Sequence, residues 1–176
     1  LVDMPYDNPD PLNTKARLDD KVRMIEDVAH ADMALYATVA PGQDVSEVGA
    51  LIDGGVVAFK ISTFESNPTR FPRIQTPQIL EIFEALAPTD IPLGVHNEDQ
   101  DMVHAYMAKA KAEGKNGLVA HSESRPASAE MSATAQFLEL GAAAHAHAHI
   151  VHLTTARGFQ LVDNYAFDGY RATGEL

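Results

Sequence analysis

No cysteine occurs in the 176 residues, so disulfides and thiolate metal ligands are both excluded, and any bound metal would need nitrogen and oxygen donors. Basic residues are few: 13 Lys and Arg stand against 25 Asp and Glu, a formal net charge of −12, and they form no run. That balance argues against nucleic acid and against anionic membrane surfaces, both of which attract positive patches; a small neutral or polar ligand fits better. Long apolar stretches are missing too. Neither a run of about 18 apolar residues nor a signal-peptide pattern is found, which favours a cytoplasmic location. No GxGxxG or GxxxxGK[ST] follows a strand pattern, which disfavours a dinucleotide or P-loop enzyme. What remains is ordinary for a soluble domain with a core, at 45% hydrophobic and 22% charged.

Apolar runs alternate with helical periodicity along the chain. Leu1 to Pro5 reads as the tail of a strand, followed by the loop YDNPDPLNT; Leu18, Val22, Ile25 and Val28 recur at helical spacing from Thr14 to about His30. Asp32 to Val39 is a second strand, and Val45 to Ile52 a short helix stopped by Gly54-Gly55. Val56 to Ile61 is a continuous β-branched run of the kind covered on both faces. The loop STFESNPTRFPRIQ after it is long enough for a lid. Thr76 and Pro77 start a helix whose stripe is Ile79, Ile82, Phe83 and Leu86. Ile91 to His96 is the next strand, then a helix over Asp101 to Glu113 with Met102, Ala105, Tyr106 and Lys109 in register. The polar connection KNGLVAHSES leads to a long helix from Arg125-Pro126 to Gly141, then a strand within HAHAHIVHLTT and a helix around Phe159 to Tyr165. With about five alternations and no Asn-Gly hairpin between strands, the pattern predicts an α/β fold of βαβ units on a parallel sheet. The opening on LVDMP and the close on ATGEL suggest a segment of a longer polypeptide.

Ligand sites in such folds lie at the carboxyl ends of the strands, where Lys60, His96 and His152 are predicted. A lysine inside an apolar strand must be paired, neutralised or chemically changed. Three readings of Lys60 stand open: an ion pair or snorkelling side chain, a Schiff-base amine as in an aldolase, or a carbamate able to bridge two metal ions. His96 and His152 would be nitrogen ligands, with Glu98 and Asp99 either orienting them or forming a solvated surface pair. Strand alternation puts His152 with Ile150 and Ala148, and His145, His147 and His149 on the other side. HAHAH is therefore a weaker candidate metal site, since His145 and His147 fall near the strand's start on the face away from the other ligands. His104 on a polar helix face and His121 in a loop read as exposed. Arg125 and Pro126 set a helix start, with Glu130 near its positive end.

With these residues in place, the chain resembles the cyclic amidohydrolases: hydantoinase, dihydropyrimidinase, allantoinase and dihydroorotase. The matching pieces are VDMP, GVVAFK, GVHNED, SRPASAE and HIVHLTT, in the family's order across nearly the whole chain. The resemblance implies a parallel (β/α) TIM barrel, of which residues 1–176 form the central part of one (β/α)8 domain without its first and last strands. It implies a binuclear Zn2+ site bridged by carbamylated Lys60, with His96 and His152 as ligands of the second metal. A metal-bridging hydroxide would open the ring of a small cyclic amide. The family's HxH pair is expected upstream of Leu1 and its aspartate general base beyond Leu176, so the isolated segment is expected to be inactive. Glu65 falls at the substrate-binding position where hydantoinases carry a tyrosine five residues after the lysine. With that departure, and with VDMP more similar to allantoinase than to the hydantoinases, the resemblance implies an allantoinase-type or unclassified cyclic ureide hydrolase. A homo-oligomer, usually a tetramer, is the family's habit. A catalytically inactive scaffold relative is the alternative.

Overall fold

Apolar residues spaced by two, set between stripes spaced by three and four, produce six strands and seven helices in the computed structural model, which describes residues 1–7 and 10–176. The order is β1 (Val2–Asp3), α1 (Lys15–Val28), β2 (Ala34–Ala37), α2 (Ser46–Asp53), β3 (Ala58–Ser62), α3 (Thr76–Leu86), β4 (Leu93–His96), α4 (Gln100–Ala112), α5 (Gly117–Glu123), α6 (Ala127–Ala143), β5 (Ala148–Ile150), α7 (Ala156–Phe167) and β6 (Ala172–Gly174). Asn8 and Pro9, in the expected loop, lie outside the described residues. Every pairing between these six strands is parallel, and the sheet runs β1-β2-β3-β4-β5-β6 in chain order. An order that never reverses is the winding of a barrel and not of a doubly wound sheet, and here the sheet is an open arc.

The register sorts the strand residues into two faces. Phe59, Leu93 and Ala148 form one row, and Ile61, Val95 and Ile150 the next; all are buried against helices. Ile79, Ile82, Phe83 and Leu86 of α3 supply the expected stripe, and Phe83 meets Phe137 of α6 with ring centroids 4.8 Å apart. The other face carries Lys60, Gly94, His149 and Thr173 in one row, with Ser62 beside His96 in the row above. The apolar face faces the helices, and the polar face lies inside the arc.

Several local expectations need correction. Lys60 stands in the middle of β3, two residues short of its end, so it lies one layer below His96. KNGLVAHSES contains α5, and His121 is on that helix instead of in a loop. In α4 the buried residue is Val103, while Tyr106 is 46% exposed; the stripe is offset from the one read from Met102. Gly141 is no stop. It lies within α6, where an added Cβ would come 2.8 Å from the Ala148 Cβ, so the missing side chain lets the helix close on β5. The stop falls later, at His145, whose φ of 53° and the bonds His145 N–H to Ala142 C=O and Ala146 N–H to Gly141 C=O form a left-handed C-terminal cap. The first histidine of HAHAH is therefore a helix terminator. β6 follows α7 without a predicted counterpart.

The long loop after β3 is tied down. The Asn67 side chain accepts from the Thr69 and Arg70 amides, Arg70 donates to the Tyr6 carbonyl at 2.9 Å, and Phe71 lies 4.0 Å from the Tyr6 ring. Among the described residues no helix is long and apolar enough to cross a membrane.

Candidate metal and substrate site

β4 ends on His96, and both ring nitrogens are engaged. Nε2 lies 2.9 Å from Glu98 Oε2, and Nδ1 lies 3.0 Å from His152 Nε2. A carboxylate only accepts, so His96 carries its proton on Nε2 and turns the Nδ1 lone pair toward His152, which donates from Nε2. Burial pushes the Glu98 carboxyl up, but the bond from His96 and the charge of Arg125 together outweigh it and hold Glu98 below the usual carboxylate range. Arg125 Nε is 3.2 Å from Glu98 Oε1. Glu98 is thus not a solvated surface residue: it fixes the His96 ring, while Asp99 instead caps α4 by accepting from Met102 N–H at 2.9 Å.

His152 reaches this position against strand alternation, which would point it at the helices with Ile150. Val151 N–H bonds to Val95 C=O of β4, but Leu153 N–H bonds to Glu175 C=O on the β6 side, whereas a regular strand sends both toward one neighbour. His152, at φ 46°, makes the reversal and brings its ring to the inner face. The earlier separation of the histidines by face is corrected accordingly. His147 and His149 also lie on the inner face, where both bond Thr173 Oγ1, at 2.9 and 2.8 Å. They are not on the face opposite Lys60, and burial, helped by the charge of Lys60, lowers the proton affinity of His149. Partial burial lowers the proton affinity of His152, and neighbouring His96 and Lys60 lower it further.

Lys60 is only 5% exposed. Burial lowers its pKa to about 8, offset in part by the charge of Glu175. Its Nζ lies 5.7 Å from the centroid of the Tyr6 ring, and Tyr6 Oη donates to the Lys60 carbonyl at 3.3 Å. Gly94 leaves room for the stem: a Cβ there would sit 3.4 Å from Lys60 Cδ. At pH 7 about a tenth of such an amine is neutral, against about 3 in 10,000 at the ordinary lysine value.

An open pocket of about 440 Å³ lies over the histidine pair, lined by Glu98, His121, Arg125 and Glu130 among others. Sequence reasoning gave Arg125 and Glu130 no more than helix-start duties; their reach to the ends of β4 and β5 depends on how α6 crosses the sheet, which spacing does not reveal. Glu65 is not brought here. It is exposed, and its N–H donates to Gln100 Oε1 at 2.8 Å. A larger hollow of about 540 Å³ beside α1 holds Lys21 paired with Asp7, and no histidine lines it.

No family model matches the chain. Individual relatives do. It is 29% identical over 158 residues to an allantoinase of Solibacter usitatus, covering 90% of this chain and 34% of that protein. To an L-hydantoinase of Paenarthrobacter aurescens it is 26% identical, covering 96% of this chain and 36% of that protein. The structure of the L-hydantoinase (dihydropyrimidinase) from Arthrobacter aurescens superposes with a TM-score of 0.93 at 25% identity, over 98% of this chain and 38% of that one. Over nearly its whole length the chain is thus similar to cyclic amidohydrolases, in sequence and in fold. It spans about a third of the length of the relatives it matches.

The donor chemistry at the histidine pair fits a metal in part. Two imidazole nitrogens on one tetrahedral zinc stand about 3.3 Å apart. His96 Nδ1 and His152 Nε2, at 3.0 Å, already converge on such a point. Among the described residues no three His, Asp or Glu side chains form a metal group, so a metal held here would need further donors.

Proposed function

We propose that this chain supplies the His96, His152 and Lys60 side of a binuclear zinc centre in a hydrolase that opens cyclic amide rings of the allantoin, hydantoin or dihydroorotate kind. The observation that carries the reading is the pair of imidazole nitrogens 3.0 Å apart at the ends of β4 and β5, above a buried lysine of lowered proton affinity. His96 and His152 would hold one ion, each through the nitrogen now facing the other ring. The neutral Lys60 amine can add carbon dioxide, forming an N–C bond and releasing one proton to solvent, and the two carbamate oxygens can hold two ions. When bound, the metals supply Lewis acidity, lowering the pKa of water and polarising the ring carbonyl. Glu98, held by Arg125, fixes the His96 tautomer, as carboxylates beside metal-bound histidines do. The pocket beside the pair would seat a small cyclic amide, with Arg125 already engaged by Glu98 and so not a free partner for an anionic substrate. Glu65, pointing away, is left without a part in this reading.

Metal analysis of the full-length protein, with hydrolysis assays on allantoin, hydantoin, dihydrouracil and dihydroorotate, tests it. Zinc at two ions per chain and turnover of at least one ring are expected. His96→Ala and His152→Ala should each lower turnover by about 10³-fold or more, the several kcal/mol a Lewis acid contributes. No metal and no turnover would remove the proposal in favour of a catalytically inactive scaffold relative.

A further inference from the structure

The reversal at His152 needs an explanation, because a non-glycine residue in the left-handed region persists only where its surroundings hold it there. On its near side Val151 is paired with β4. On its far side Leu153 is fully buried, and the next two residues are both held by one carboxylate. Glu130, in the first turn of α6, accepts from Thr154 N–H at 3.2 Å and Oγ1 at 2.6 Å, and from Thr155 N–H at 3.1 Å and Oγ1 at 2.9 Å. Four donors thus converge on one side chain across 24 and 25 residues of sequence. Thr155 in turn caps α7, its Oγ1 accepting from Gly158 N–H at 3.2 Å. Glu130 itself sits on a well-anchored turn: the Thr134 hydroxyl donates to its carbonyl at 2.8 Å, and the buried Asn97 side chain donates to Thr134.

We infer that Glu130 is a positioning residue for His152: by gripping Thr154 and Thr155 through backbone and hydroxyl alike, it holds the chain reversal that turns the His152 ring onto His96. Without that grip the segment after Val151 relaxes toward extended backbone, and alternation carries the imidazole back toward Ile150, away from the pocket. Gln cannot replace Glu here. It offers one acceptor oxygen to four donors and sets an NH2 against the rest. What the aimed ring is for rests on the metal reading above; the aiming does not.

The test is a double-mutant cycle on Co2+ affinity of the full-length protein, using Co2+ alone as the probe. Glu130→Gln should weaken Co2+ binding by about 10- to 100-fold, as loss of a residue orienting a ligand does. In a His152→Ala background the same change should have no further effect, because its target is gone. A purely structural role would lower the unfolding midpoint yet leave Co2+ affinity unchanged, or add its full loss on top of His152→Ala; either result overturns the inference. Should Glu130→Gln not fold, Thr154→Val removes a single donor and is expected to weaken Co2+ binding severalfold, while Thr154→Ser keeps wild-type affinity; equal affinity in all three overturns it. If the wild type binds no Co2+, the metal reading fails alone, and the crystal structure of metal-free Glu130→Gln decides. The inference then stands if the His152 ring has turned away from His96 Nδ1 and falls if it still faces it.

Discussion

Lys60 is the residue at which stability and the proposed chemistry pull apart. Its amine is charged in the unfolded chain up to about pH 10.5 but in the folded protein only to about pH 8. Between those values the unfolded state holds the extra proton, so stability rises with pH across that window, and below it the folded protein bears the cost of a buried charge. That cost is on the order of 3 kcal/mol. In metal-free and CO2-free buffer, Lys60→Met should therefore be more stable than wild type at pH 7 by up to this amount, with the difference shrinking toward pH 10. Urea unfolding of both proteins at a series of pH values measures it; parallel stability curves would contradict the burial argument. The lysine, and His96 at a strand end, could be read from the sequence because an apolar run interrupted by one ionisable residue has a physical cost visible without coordinates. The face of His152 could not. Alternation is a rule for regular strands, and the left-handed reversal leaves no mark in composition beyond histidine's modest tolerance of that region.

At the scale of elements, α6 is the organising helix. It is the last of three helices between β4 and β5 and meets the end of each strand: Arg125 just before it holds Glu98, Thr134 receives Asn97, and Glu130 holds Thr154 and Thr155. Its other end depends on Gly141 for close approach to β5. Gly141→Ala should improve helix propensity by about 1 kcal/mol, yet its Cβ would press on Ala148 and Phe83, and overpacking of this kind costs about 1–3 kcal/mol. A net loss of stability is expected, read as a lower urea midpoint with an unchanged slope; a gain would show that the helix can move off the sheet freely. Strong periodicity made α3 and α7 legible in the sequence, and long apolar runs did the same for β3 and β4. α5 was hidden in a polar stretch whose Leu118 is 90% exposed, and β6 in three small residues, since neither has an apolar pattern of its own.

For the whole molecule, the parallel winding in chain order has one functional consequence: it puts the carboxyl ends of neighbouring strands side by side, so residues 56 apart, His96 and His152, become hydrogen-bonded neighbours. The alternation of strand and helix was enough to infer a parallel sheet, while the barrel order of its strands was legible only through the resemblance to the cyclic amidohydrolases. The arc of six strands leaves the site open on one side, consistent with a stretch matching about a third of its relatives' length. The central claim is that His96 Nδ1 and His152 Nε2 share a metal ion. Anomalous scattering at the zinc edge, from crystals of the full-length protein grown with Zn2+, tests it most directly. A peak within bonding distance of both nitrogens is expected, with density for a carboxylated Lys60 amine beneath it. A peak at His147 and His149 instead, or none beside His96 and His152 in zinc-replete crystals, would contradict it.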